Sequence, residues 1–341
     1  MESAQSEQTT ASGLRVSQSA CRNAVLFRTP RSRRITGVRS FFRRTPTRQE
    51  EARLDHSEDI IVNKTWKLYR LSPLYKFSHK ASDLRRYGTC LASFIAIERA
   101  KGFDFESDKV DKAIFNMNKG IKVSSVDPEA IQIVISGKSK PESESSTVLL
   151  TAVLCGVDME ENPINENSDN FTFYPIMLMK SAVKLSQFFI TWMERQFDCR
   201  ITPFKLSPHQ LSWMVAMWSG LASDSTNKPI KLVYSVPPEV EGLKQITYSI
   251  DPHDCKELWE SIHDKSKTMF TEEEVSKFMS SIETHFFNCF FIRISAMPLT
   301  STGTPVAYCD GSGKIKIFSH KHVTAVLRYL TELSLEQFIQ I

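Results

Sequence analysis

Apolar residues take up a regular spacing only from about Ile60 onward. Trp66, Leu68 and Arg70 alternate with Lys67, Tyr69 and Leu71, which predicts a strand. Ser72-Pro73 interrupts it, and Leu74, Tyr75 and Phe77 predict a second short extended piece. Between 82 and 101 the spacing changes to three and four, through Leu84, Tyr87, Leu91, Phe94, Ile95 and Ala96. A helix follows from that pattern, with Ser82 as N-cap and Gly102 as its stop.

Residues 130–136 and 148–155 are β-branched runs joined by a polar stretch, and they predict neighbouring strands. The acidic, Asn-rich run 158–169 predicts an exposed loop. Helical spacing covers 181–197 and 207–218, and the second of these is apolar on every side, hence buried on every side. Strands are expected at 230–236 and 245–250, and helices at 252–263 and 271–285. Thr271-Glu272-Glu273-Glu274 has the form of a capping box. Further strands are expected at 290–295, 305–309 and 314–318, then a last helix from His320 to about Gln337. Asp310-Gly311-Ser312-Gly313 is the hairpin turn before the last strand. These elements predict an α+β fold of mainly antiparallel sheets covered by helices on one face. Two lobes, 61–200 and 201–341, are expected from the length of the patterned part.

Charge separates from hydrophobicity. Residues 8–49 hold ten arginines, no lysine and no acid, while residues beyond 63 hold 32 basic and 32 acidic groups. The whole net charge of +4 therefore resides in the first 63 residues. Rich in Ser, Thr and Gln and poor in spaced apolar residues, residues 1–60 are expected to be disordered. An Arg-rich, acid-poor N-terminus also suits mitochondrial import, but Glu2, Glu7, Pro30, Gly37 and Pro46 fit that helix poorly. Nuclear import or polyanion contact fits the arginine clusters better. Seven scattered cysteines without a C-x-x-C pair indicate free thiols in a reducing compartment, and no signal-type apolar run follows Met1.

Catalysis finds no foothold. There is no phosphate-cradling glycine loop and no nucleophile elbow. Cys309, Asp310, His320 and His322 match no zinc spacing, and Asp251-Pro252-His253-Asp254 is explained by Asp251 as a helix N-cap with Pro252 behind it. No catalytic residue, metal or cofactor is expected. The tail and the last strand remain as candidate sites. Arg28, Arg31, Arg33, Arg34, Arg39, Arg43, Arg44 and Arg48 are candidate nucleic-acid contacts. In the last strand, Lys314 and Lys316 project together while Ile315 and Ile317 face the core. That strand suits either a protected sheet edge, an edge that pairs with a partner's strand, or a basic row facing phosphate. Thr45-Pro46-Thr47-Arg48 and Thr29-Pro30 have the form of kinase sites, and phosphate on Thr29 or Thr45 would weaken the tail's hold on a polyanion.

Leu211-Ser212-Trp213-Met214-Val215-Ala216-Met217-Trp218 resembles the centromere protein L family of the inner kinetochore. Residues 66–77, Asp127-Pro128-Glu129-Ala130, Phe197-Asp198-Cys199, residues 313–317 and Tyr329-Leu330-Thr331-Glu332-Leu333 fit the same family in order. The likeness spans the patterned body and leaves the tail outside. It implies a non-enzymatic scaffold at nuclear centromeres that pairs with centromere protein N through sheet-edge contacts. Other inner-kinetochore subunits, and centromeric histone-variant nucleosomes with their DNA, are the further partners it implies.

Overall fold

A computed structural model describes residues 60–101, 109–138, 146–159, 170–221, 228–263 and 270–339, all within one unit of the chain. The eight candidate arginines, Arg28 to Arg48, and both candidate threonines, Thr29 and Thr45, lie outside the described residues. In chain order the elements begin with β1 (Trp66–Leu71), β2 (Leu74–Tyr75), α1 (Ala81–Ala100), β3 (Lys109–Asn118), β4 (Ala130–Lys138) and β5 (Thr147–Cys155). Then come β6 (Phe171–Thr172), β7 (Ile176–Ser181), α2 (Val183–Phe197), β8 (Ile201–Pro203) and α3 (Pro208–Ser219). The chain continues through β9 (Ile230–Ser235), β10 (Gln245–Ile250), α4 (Pro252–Ile262) and α5 (Glu272–Phe290). It ends with β11 (Leu299–Gly303), β12 (Ala307–Asp310), β13 (Lys314–Ile317) and α6 (Val323–Ile339).

One large sheet runs β10-β9-β11-β12-β13-β1-β7-β5-β4-β3, with β8 also paired to β1, and β2 and β6 form a small second sheet. The described pairs are antiparallel, as the α+β expectation required. The stretches expected to form two lobes share this sheet: β1 joins β13 through Trp66↔Ile315 and Lys67↔Lys314.

The alternation in β1 has a direct structural meaning. Trp66 and Leu68 enter a core with Val153, Ile176, Leu178 and the buried sides of α3 to α6. Tyr69 and Leu71 enter a second core, on the opposite face, with Met177, Met179, Leu84, Leu91, Phe189 and Trp192. Helices therefore cover both faces of the middle strands. Over β9 to β13 they cover one face only, as the pattern predicted for the fold at large.

Local starts and stops follow the side chains. In α3 the Ser207 hydroxyl accepts from the Gln210 N–H, and the Gln210 side chain accepts from the Ser207 N–H (3.2 and 2.9 Å). Its residues Leu211 and Met214 to Ser219 are all buried, as expected for a helix apolar all round. The Thr271–Glu274 capping box is present (3.2 and 2.9 Å), and α4 is capped by Asp251, which accepts from the His253 N–H at 2.8 Å. Three expectations need correction. Helix α1 begins at Ala81 after Lys80, so Ser82 lies inside it and caps nothing. Residues 290–295 are not a strand: Val275, Phe278, Met279, Ile282 and Phe286 keep helical spacing buried, and α5 runs on to Phe290. The strand expected at 305–309 starts at Ala307, and β11 precedes it at Leu299–Gly303.

Candidate nucleic-acid and partner interface

Strand β13 places its side chains as the alternation predicted and its backbone elsewhere. Ile315 and Ile317 are fully buried, and Lys314 is exposed with Lys316 half-buried on the other face. The strand is not an edge, however. It pairs with β12 through Cys309↔Ile315 and Tyr308↔Lys316, and with β1 on its other side. The partner-edge role expected for Lys314, Ile315, Lys316 and Ile317 is therefore excluded, because both rows of main-chain hydrogen-bonding groups are already engaged. Alternation reports which face a side chain occupies and says nothing of a strand's rank in the sheet.

The face carrying Lys314 and Lys316 has a definite composition. Register sets Lys316 beside Tyr308, Tyr308 beside Gly303, Gly303 beside Lys231, and Lys231 beside Ser249, in one row across five strands. With neighbouring strands about 4.8 Å apart, Lys316 and Lys231 stand roughly 14 Å from each other. Gly303 leaves a shallow gap in the row: a Cβ there would touch the Tyr308 ring and the Lys231 stem, each at 3.8 Å. Lys67 lies opposite Lys314. The Phe318 ring lies 4.3 Å from the Lys228 ammonium and 5.6 Å from that of Lys316. Asp310 is an acid of this face, and its Oδ1 is committed to the turn, accepting from the Lys314 N–H (2.9 Å) and the Ser312 hydroxyl (2.6 Å). The result is a lysine-rich sheet face with aromatic rings between the cations, a surface suited to phosphate. Lys314 and Lys316 were legible in the sequence. Lys67, Lys228 and Lys231 join them only through strand order, for which the sequence carries no local signal.

Among the described residues, β10 at one end of the sheet pairs with β9 alone and leaves its other edge without a strand partner. Tyr248 on β10 meets Phe286 at 4.9 Å between ring centroids, and Phe286 meets Phe290 at 4.7 Å. Beyond them Phe290, Phe291 and Ile292 are 57, 80 and 42% exposed. Phe291 also has φ 57°, a left-handed conformation that a bulky side chain adopts at a cost. Neither core packing nor backbone preference accounts for phenylalanine there.

The other sequence clusters dissolve as sites. Cys309 is fully buried, and burial pushes its thiol far up, while Asp310 serves the turn. No group of three or more His, Cys, Asp or Glu side chains able to hold a metal ion occurs among the described residues. No described helix is long and apolar enough to cross a membrane.

A model of the family described as Centromere protein L matches residues 60–335 of the chain. The chain belongs to the centromere protein L family. It is 36% identical to human Centromere protein L over 323 residues, covering 91% of this chain and 92% of the human one. The rat protein of that name is 38% identical over 282 residues, with 82% and 80% covered, and the chicken protein 34% over 301 residues, with 86% and 85% covered. Residues 61–341 make up about 82% of the chain, so the human match continues into the arginine-rich stretch, which the sequence likeness had left outside. As a family member this is a nuclear protein of the centromere and kinetochore.

Proposed function

We propose that the chain is a non-catalytic scaffold that pairs with centromere protein N by strand addition at β10. The pair then holds centromeric histone-variant nucleosomes and their DNA, in company with other inner-kinetochore subunits. The observation that carries this is the open end of the sheet. A strand bonded on one side only, flanked by the exposed rings of Phe290 and Phe291, offers main-chain hydrogen bonds for affinity and apolar side chains for anchoring. The lysine face supports the chromatin half of the proposal, and the candidate arginines of the tail would add contacts to the same polyanion.

Co-expression with centromere protein N tests the pairing. Phe290→Asp combined with Phe291→Asp is expected to weaken the complex by about tenfold or more, the cost of losing aromatic anchors at the centre of an interface. The circular dichroism of the isolated chain should not change, since both rings are exposed. An undiminished complex would remove β10 and the end of α5 as the docking surface. The lysine face also favours a second function, nucleic-acid binding by the chain alone, which predicts a steep salt dependence without any partner present.

A further inference from the structure

The opposite end of the sheet carries a different feature. Among the described residues, strand β3 pairs with β4 alone, and α1 lies along its other side, with a groove of about 930 Å³ between them. That volume is at the upper end of the range for ligand sites. Helix and strand touch where Gly88 faces Ala113: a Cβ on Gly88 would stand 2.3 Å from the Ala113 carbonyl oxygen. Around this contact α1 presents Ala81, Thr89, Ala92 and Ser93, side chains too small to close the gap.

Three properties of the groove specify an occupant. The Ala113 carbonyl turns toward the helix and away from β4, and main-chain groups alternate in direction along an antiparallel edge. Phe115 and Met117 therefore also turn N–H and C=O groups outward. Part of the floor is apolar, with Leu84 and Phe115 buried and Met117 40% exposed. The charged side chains of the lining are Arg85, Lys112 and Lys119, all cations and all exposed. None of the three makes an ion pair among the described residues. Lys112 lies just after the bulge near the start of β3 and Lys119 just past its end, roughly 23 Å apart at the usual rise per residue.

We propose that this groove is a docking site for an extended segment of another protein in which carboxylates alternate with apolar side chains. Beyond the Gly88–Ala113 contact, the segment adds as a short strand to the outward groups of Phe115 and Met117, seats its apolar side chains beside Leu84, Phe115 and Met117, and sets its carboxylates against Arg85, Lys112 and Lys119. Nucleic acid fits less well. Outward carbonyls repel phosphate, Met117 would stay uncovered, and the open lysine face offers a better surface for it.

Selection from a random displayed peptide library against the full chain tests the proposal. The enriched peptides should alternate Asp or Glu with Leu, Ile or Phe. Their binding should be abolished by Thr89→Trp, which fills the groove from an exposed helix position. Lys112→Glu, a surface change that leaves the fold intact, should weaken it about fivefold, the upper value for one exposed ion pair. Hydrogen exchange should slow at the Phe115 and Met117 amides on binding. The proposal is overturned if selection yields no binder, if binders lack carboxylates, or if they bind both variants like the parent. It is overturned equally if Thr89→Trp blocks duplex DNA and leaves the selected peptides unaffected.

Discussion

Asp127 is 1% exposed and is fully used. Its Oδ2 accepts from the N–H groups of Val123 (3.1 Å), Ser124 (2.8 Å) and Asp158 (2.9 Å), and its Oδ1 from that of Met159 (2.9 Å). One carboxylate thus ties the turn before β4 to the segment after β5. The same segment is where α6 docks: the Val157 N–H donates to Thr331 Oγ1 at 3.2 Å, and Arg328 meets Asp158 at 2.8 Å. Replacing the carboxylate with a methyl group leaves buried N–H groups without acceptors. Asp127→Ala should therefore cost about 3 kcal/mol of folding stability, read as a lowered urea midpoint. A midpoint equal to the parent's would mean that water replaces the carboxylate at no cost. The acid was visible in the sequence within Asp127-Pro128-Glu129-Ala130, but its four donors come from two separated segments, and no spacing rule connects them.

Elements differ in how far their sequences declared them. Helices α3, α4 and α5 were legible because caps and apolar periodicity coincide within a dozen residues. Strands β3 and β7 were not. β7 is buried along Ile176 to Met179 and so shows no polar alternation, and its two methionines carry little strand preference. Helix α1 was legible as a helix, while its seat on β3 depends on Gly88, which periodicity treats as a blemish. Alanine at that position would favour the helix by about 1 kcal/mol on propensity alone. The backbone oxygen of Ala113, 2.3 Å from the added carbon, reverses the sign. Gly88→Ala should be net destabilising by about 2 kcal/mol, because helix or strand must shift to relieve the contact. A stabilised variant in thermal unfolding would show that α1 is free to move off the sheet edge.

At the scale of the whole molecule, burial of ionisable groups sets the response to alkali. Burial pushes the thiols of Cys155, Cys199 and Cys255 from 9.0 up to about 12, with Asp127, Glu194 and Asp254 adding to the respective shifts. Tyr174 and Tyr234 are raised by burial in the same direction. A folded pKa above the unfolded one means that the native state holds its proton more tightly. The corresponding stability is complete below about pH 9 and is lost as the pH climbs toward 12. The urea midpoint should stay level from about pH 7 to 8.5 and fall steadily above 9. A level profile up to pH 11 would show that these groups are open to water in the native state.

The Asn63 N–H donates to the Ile317 carbonyl at 2.8 Å, which fastens the start of the described body to the end of the strand bearing Lys314 and Lys316. Arg53, the nearest arginine upstream, lies seven residues before Ile60, the first described residue, so the chain between them can span at most roughly 25 Å. A polyanion lying on the lysines is then within reach of the first arginine, whose local concentration is set by tether length and not by how much protein is in solution. Joined in one chain, two such grips would release their ligand only when both let go at once.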